Sequence, residues 1–312
     1  MLNKIIGCMI LIFLFYYSNS FNEKIIVDKS KLEEHVKALV DTKKTRNCLN
    51  IDILNNCATY IQEQFLAIGL KPNEQLFTVN DIEYKNIECR LGSNIKGKIV
   101  IGAHYDVYKN TVGADDNASG VSSLIELSRL LKKYENQLKY ELILVAYSLE
   151  EPPYFNTEKM GSYFHAKSLI DNNEKINLMI CLEMLGYYSE EKDSQDYPLD
   201  IMKLIYPQKG NFIAAVGKLN TFDKLLNIKK AINQNSNIKC EILPAPDFID
   251  AIDYSDHINY QKFHIKSIMI TDTALYRNPN YHELTDKINT LNFDKMSEVV
   301  KGLAYYILNN EL

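Results

Sequence analysis

The sequence predicts an α/β fold: three layers, αβα, with a mixed, largely parallel central sheet flanked by helices. Two observations carry this. From about residue 98 onward, apolar strand-like runs alternate with amphipathic stretches of helical period, the pattern of parallel strands joined by crossover helices and covered on both faces. Ahead of them, Asn80-Asp81 marks the turn of a hairpin,. No repeat, Pro/Gly/Ser-rich linker or low-complexity block divides residues 21–312, so they form one domain with an N-terminal helical lead-in over 21–95.

Each element follows from its residues. Over 51–68, Ile53, Leu54, Ala58, Ile61, Phe65 and Leu66 recur at helical spacing until Gly69 stops the helix,. Strands are then predicted at Lys98–Ala103, Glu141–Tyr147, Leu178–Leu182, Phe212–Val216, Ile238–Leu243 and Ser267–Thr271. Between and after them, helices are predicted near Ser119–Tyr134, Gly161–Ile170, Phe222–Asn233 and Phe293–Leu308. The stretch from Tyr187 to Gly210 is polar and irregular, and a loop that long in a compact domain is often functional.

Composition narrows the function. Of 312 residues, 46% are apolar and 24% charged, and the net charge of −5 shows no basic stripe, so neither a phosphate backbone nor an anionic membrane is an expected partner. Lys4, the apolar run Ile5–Tyr17 and then Ser18-Asn19-Ser20 read as a signal peptide over 1–20,. The run is shorter than the ~20 residues of a stable membrane anchor. Export to a periplasmic or extracellular space is therefore expected, with retention as an uncleaved signal-anchor the alternative; lipidation at Cys8 is disfavoured because the apolar run lies mostly after it. The remaining Cys48, Cys57, Cys89, Cys181 and Cys240 form no Cys-x-x-Cys pair,. Cys181 sits in an apolar run as a small hydrophobe, and the sequence leaves open whether Cys48 and Cys57 pair.

The residues with chemical potential gather where ligands bind in such sheets, beyond the carboxyl ends of the strands. His104 and Asp106 follow one strand, Glu150 and Glu151 another, Glu183 ends a third, His282 lies past the last, and Asp115-Asp116 opens a helix. Each alone has an ordinary explanation: Asp115, Asp116 and Asn117 could cap the helix, Glu150-Glu151 before Pro152-Pro153 could be a solvated turn, and Glu183 could pair with a lysine. Together, two imidazoles and several carboxylates at one sheet edge suit a borderline-soft divalent cation such as zinc. Adjacent Glu150 and Glu151 can then divide labour, one coordinating metal and the other handling a proton of water.

In order along the chain, Gly102-Ala103-His104-Tyr105-Asp106, Gly113-Ala114-Asp115-Asp116-Asn117-Ala118-Ser119-Gly120, Ala146-Tyr147-Ser148-Leu149-Glu150-Glu151, Leu182-Glu183-Met184, Ser255-Asp256-His257 and Tyr281-His282 resemble the signatures of metallopeptidase family twenty-eight, the co-catalytic two-zinc exopeptidases that include bacterial leucyl aminopeptidases. The resemblance covers roughly residues 96–308. It implies a zinc-exopeptidase fold and two zinc ions per chain, one held by His104 and Glu183, the other by Glu151 and His282, with Asp116 bridging. It further implies Glu150 as general base, Asp106 as the carboxylate that orients His104, a cis Asp116–Asn117 bond, and peptides with a free amino terminus as substrates. Two departures stand out. Glu183 occupies a position that is often aspartate, and Pro152-Pro153 follows the glutamate pair, where it should stiffen the loop.

Two other functions compete. A glutaminyl cyclase shares the fold, but it would replace the Asp-Asn-Ala-Ser-Gly stretch with a proline-containing turn and place tryptophans at its pocket, and this chain has no tryptophan. A non-catalytic peptide-binding scaffold would show decay of the ligand set, and all five ligand positions and the base are present.

Overall fold

A computed structural model of the chain describes residues 21–93, 95–246 and 253–309; the predicted signal segment, with Lys4, Ile5–Tyr17 and Cys8, lies outside them. The lead-in is helical only in part. It carries α1 (Lys29–Val40) and α2 (Ile51–Ala67), then the strands β1 (Asn73–Val79) and β2 (Ile82–Gly92). α1 begins where the Asp28 side chain accepts the Ser30 N–H, satisfying one of the free donors of a helix start. α2 ends on Gly69, whose φ of 79° lets Gly69 and Leu70 return hydrogen bonds to Leu66 and Phe65, a Schellman closure. Asn80 and Asp81 both take positive φ, as the two-residue hairpin turn that joins β1 to β2 requires.

The alternation predicted beyond residue 98 is present: β3 (Lys98–His104), α3 (Gly120–Lys133), β4 (Glu141–Tyr147), α4 (Gly161–Asp171), β5 (Ile176–Glu183), β6 (Phe212–Lys218), α5 (Phe222–Asn235), β7 (Lys239–Ala245), α6 (His257–Lys262), β8 (Ser267–Thr271) and α7 (Phe293–Leu308). The sheet order is β1-β2-β4-β3-β5-β8-β6-β7. Its centre is parallel, with β3 beside β4 and β5, and β5 beside β8, while β2 against β4 and β6 against β8 are antiparallel. The mixed sheet is thus built as expected, and the hairpin of the lead-in extends it.

Alternate residues of each strand point to opposite faces, so two cores form. On one face Ile99, Ile101, Leu142, Leu144 and Ile180 pack under α1, α2, α3, α5 and α7. On the other, Val100, Ile143, Val145, Met179 and Cys181 pack with Ala166 and Leu169 of α4 and Tyr260 of α6. Burying each large aliphatic side chain contributes about 1.5–3 kcal/mol before chain entropy is subtracted. The five described cysteines are buried and free, so Cys48 and Cys57 do not pair. Among the described residues no helix is long and apolar enough to cross a membrane.

Candidate metal centre

Because β3, β4, β5 and β8 run parallel, their carboxyl ends meet at one edge. β3 delivers His104 as its last residue, β5 delivers Glu183 as its last, and Glu150-Glu151 follow β4 by way of Leu149 at φ 62°. His282 comes from the loop beyond β8, and Asp116 from a tight turn over Ala114–Ser119. Gly113 enters that turn at φ 65° against Val107 and the Asp116 carbonyl, where any side chain would collide. The Asp116–Asn117 peptide is cis, as is Pro152–Pro153.

All seven residues singled out from the sequence come together here. Asp116 stands between the imidazoles, with Oδ1 3.4 Å from His104 Nε2 and Oδ2 3.2 Å from His282 Nε2. Glu183 Oε2 lies 3.3 Å from His104 Nε2, and Glu151 Oε2 lies 3.3 Å from His282 Nε2. Glu150 is more remote, with Oε2 at 3.9 Å from His104 Nε2. Asp106 lies 3.6 Å from His104 Nδ1, beyond an ordinary hydrogen bond. Its two oxygens instead accept the Glu150 and Glu151 N–H groups, each at 3.1 Å, so it locks the glutamate pair to the end of β3.

Burial and charge crowding perturb both imidazoles and the carboxyl groups of Asp116, Glu150, Glu151 and Glu183. Burial opposes a charge on His104, yet Glu183 and Glu150 raise its pKa well above the usual imidazole value. Burial likewise opposes a charge on His282, but Asp116 and Glu151 push it up to about 10. Burial works against ionisation of Asp116, and its two imidazole neighbours nevertheless hold it below the usual carboxylate range. Burial and Asp116 push Glu151 up to about 8 despite His282. Burial raises Glu150 well above its ordinary value, His104 opposes this, and Glu151 and Glu183 add to it. Four carboxylates thus face two imidazoles with too little positive charge among them.

A divalent cation fits this set. Both ring nitrogens of His104 and Oε1 of Glu151 are buried without a hydrogen-bond partner, which is costly unless something else binds them. Donor atoms of His104, Asp116 and Glu151 lie within 4.8 Å of one another. Bonds of about 2.0–2.1 Å in tetrahedral zinc geometry put neighbouring ligand atoms about 3.3 Å apart, and the imidazole–carboxylate separations of 3.2–3.4 Å match that edge on both sides of Asp116.

The structure adds residues to which the sequence assigned no role. Ser255 Oγ donates to Glu183 Oε2 at 2.6 Å. Tyr108 and Tyr281 sandwich the His282 ring at centroid distances of 4.0 and 3.9 Å. Asp286 accepts the N–H groups of Asp115 and Asp116. Buried Arg46 donates to the carbonyls of Leu39, Tyr105, Val112 and Gly113, binding the loop after β3 to the lead-in. Only Ser255 and Tyr281 lay within quoted motifs; Arg46 had no signal in local spacing. The helix-capping role considered for Asp115–Asn117 falls to Asn117, whose Oδ1 accepts Gly120 N–H at 3.0 Å. A cavity of about 330 Å³ opens on the cluster, roofed partly by the Tyr187–Gly210 segment through Tyr197, Met202 and Tyr206.

Fold and site together define an α/β protein with a buried, carboxylate-rich, histidine-bearing centre able to hold a metal ion. The chain belongs to Peptidase family M28, whose sequence model matches residues 86–307. It is 42% identical over 289 residues to "Uncharacterized protein YfbL" of Escherichia coli, covering 90% of this chain and 88% of that one. Among solved structures, the Legionella pneumophila LapA aminopeptidase superposes with a TM-score of 0.70 at 18% identity, covering 91% of this chain and 71% of its own. A Bacteroides thetaiotaomicron glutaminyl cyclase bound to N-acetylhistamine superposes at 0.66 with 18% identity, covering 92% and 99%. At such identities these two likenesses concern the fold.

Proposed function

We propose that the chain is a zinc-dependent aminopeptidase that hydrolyses the first peptide bond of peptides with a free amino terminus. The observation that carries this is Asp116 shared between two imidazoles, each with its own further carboxylate, beside a glutamate that takes no such place. His104 and Glu183 would hold one zinc, Glu151 and His282 the other, and Asp116 both. When bound, the ions would supply Lewis acidity toward water and the substrate carbonyl.

Glu150 takes a proton from the attacking water as its oxygen bonds to the carbonyl carbon, then passes the proton to the nitrogen that leaves when the C–N bond breaks. Asp106 fixes Glu150 and Glu151 through their backbone N–H groups, and Ser255 orients Glu183. The surplus of carboxylates favours a substrate ammonium or amine beside the cluster, which supports exopeptidase over endopeptidase action. Export also belongs to this proposal, on the strength of the apolar run Ile5–Tyr17.

The test compares a peptide with its N-acetylated form. Loss of a charge-assisted contact costs about ten- to a hundredfold, and the acetyl group should add steric exclusion, so the blocked peptide is expected to resist cleavage. Equal cleavage of both at the same bond would sink the reading. A glutamine-leading peptide separates it from cyclisation, which releases ammonia in place of free glutamine, and a full zinc complement without any turnover would favour a binding scaffold.

A further inference from the structure

The cavity floor running away from the metal centre is one cross-strand row. Glu183 pairs with Thr271, Thr271 with Ala214, and Ala214 with Glu241, and all four line the cavity. Paired residues project to the same face at strand spacings near 4.8 Å, so Glu183 and Glu241 stand about 14 Å apart with only a threonine and an alanine between them. Val216 and Met269 border this floor. At its far end Tyr197 and Tyr206 stack at 5.7 Å. Burial, and after it the Glu241 charge, raises the Tyr206 phenol above its ordinary value, in keeping with a carboxylate beside the rings.

The cations near this end are engaged by protein partners, among them buried Arg277, which donates to Gln195 Oε1 at 2.8 Å and lies over the Phe212 ring. Lys229 reaches Glu241 Oε2 at 2.6 Å from α5, which packs on the opposite face of the sheet, and Lys203 reaches Asp196 at 2.8 Å. Asp196 lines the cavity along with Glu241, and neither a lysine nor an arginine is among its described lining residues. A carboxylate offers about four lone-pair sites, so Lys229 does not saturate Glu241.

We propose that Glu241 is a specificity residue that favours peptides beginning with arginine or lysine. This rests on the aminopeptidase reading and names its substrate class. An extended arginine spans about 7–8 Å from its α-nitrogen to its guanidinium carbon, about half of the row, so the glutamate side chains at its two ends must lean inward over the floor to meet it. The aliphatic stem lies over Ala214, Val216 and Met269, and the cation meets Glu241 against the tyrosine faces. A leucine leaves that end unfilled.

The experiment measures kcat/KM for arginyl, lysyl, leucyl, methionyl and alanyl amides on the zinc-loaded full chain, with calorimetric binding of free arginine and leucine alongside. Arginyl and lysyl amides are expected to lead, and Glu241→Gln to lower the arginine-to-leucine ratio about ten- to a hundredfold in both turnover and binding. Ala214→Leu, which fills the row midway, should depress arginyl and lysyl amides more than alanyl amide. A leucyl preference untouched by Glu241→Gln, or an equal fall for every amide, overturns the proposal while leaving the aminopeptidase reading intact. Failure to cleave any amide overturns that earlier reading, and arginine binding weakened by Glu241→Gln would still support the selectivity of the pocket.

Discussion

His104 and His165 are both fully buried, yet their surroundings differ in kind. His165 bonds Tyr260 Oη through Nδ1 at 2.5 Å and Glu88 Oε2 through Nε2 at 3.0 Å, and Tyr260 continues to Tyr147 Oη at 2.6 Å. Both ring nitrogens are satisfied, and the chain of partners leaves nothing for a ligand. His104 has carboxylates on several sides at 3.3–3.9 Å and no hydrogen bond to either nitrogen. Burial alone therefore does not distinguish a structural histidine from a candidate ligand. Satisfaction does, because an unpaired buried polar group costs about 1–3 kcal/mol unless another species repays it.

The comparison can be broken most forcefully at Glu150. Glu150→Gln should keep zinc and lose turnover at least about a hundredfold, since an amide cannot take a proton; near-normal turnover would remove Glu150 from the mechanism. Asp116→Ala should lose both zinc ions by elemental analysis, because each oxygen faces a different imidazole. Retention of two ions would reduce Asp116 to a structural residue.

Substituting the two histidines in parallel sharpens the contrast. His165→Phe removes one partner each from Tyr260 and Glu88, which keep Tyr147 and Arg90, and should cost about 1–3 kcal/mol in denaturant unfolding of the metal-free protein, with zinc content unchanged. His104→Phe should do the reverse, losing zinc while the metal-free protein keeps or gains stability. Equal effects on both readouts would erase the distinction.

His35 lies between these cases, with one partner, Tyr60 Oη, at 2.7 Å from Nδ1. Burial pushes its pKa down to about 4, so below pH 6.5 the unfolded chain takes up a proton before the folded one. Stability present above about pH 6.5 should fall progressively toward pH 4, by on the order of 1 kcal/mol at pH 5.5. His35→Gln should flatten that part of the Tm–pH curve relative to the parent chain, and superimposable curves would show that His35 titrates as in the unfolded state.

Legibility in the sequence followed locality. Glu141–Tyr147, Ser267–Thr271 and Phe293–Leu308 were readable to their end residues because an unbroken apolar run or a helical stripe reports its own burial. The six-residue α6 was not, as two turns offer too little period to detect,. The candidate ligand positions His104, Asp116, Glu151, Glu183 and His282 were legible as an ordered set of motifs, each at a strand end or turn. Arg46 was invisible, since a lone arginine in a lead-in carries no mark of the four carbonyls it meets.

By itself, then, the sequence determined the alternating architecture and the edge at which chemistry gathers, because hydrophobic period and strand direction are properties of short segments. Only the tertiary structure decided which carboxylate faces which imidazole, that Asp106 holds the glutamate pair, and that Glu241 ends a row beginning at Glu183. Those relations cross strands far apart in the chain, and their register is set by how the sheet packs between its two helical layers.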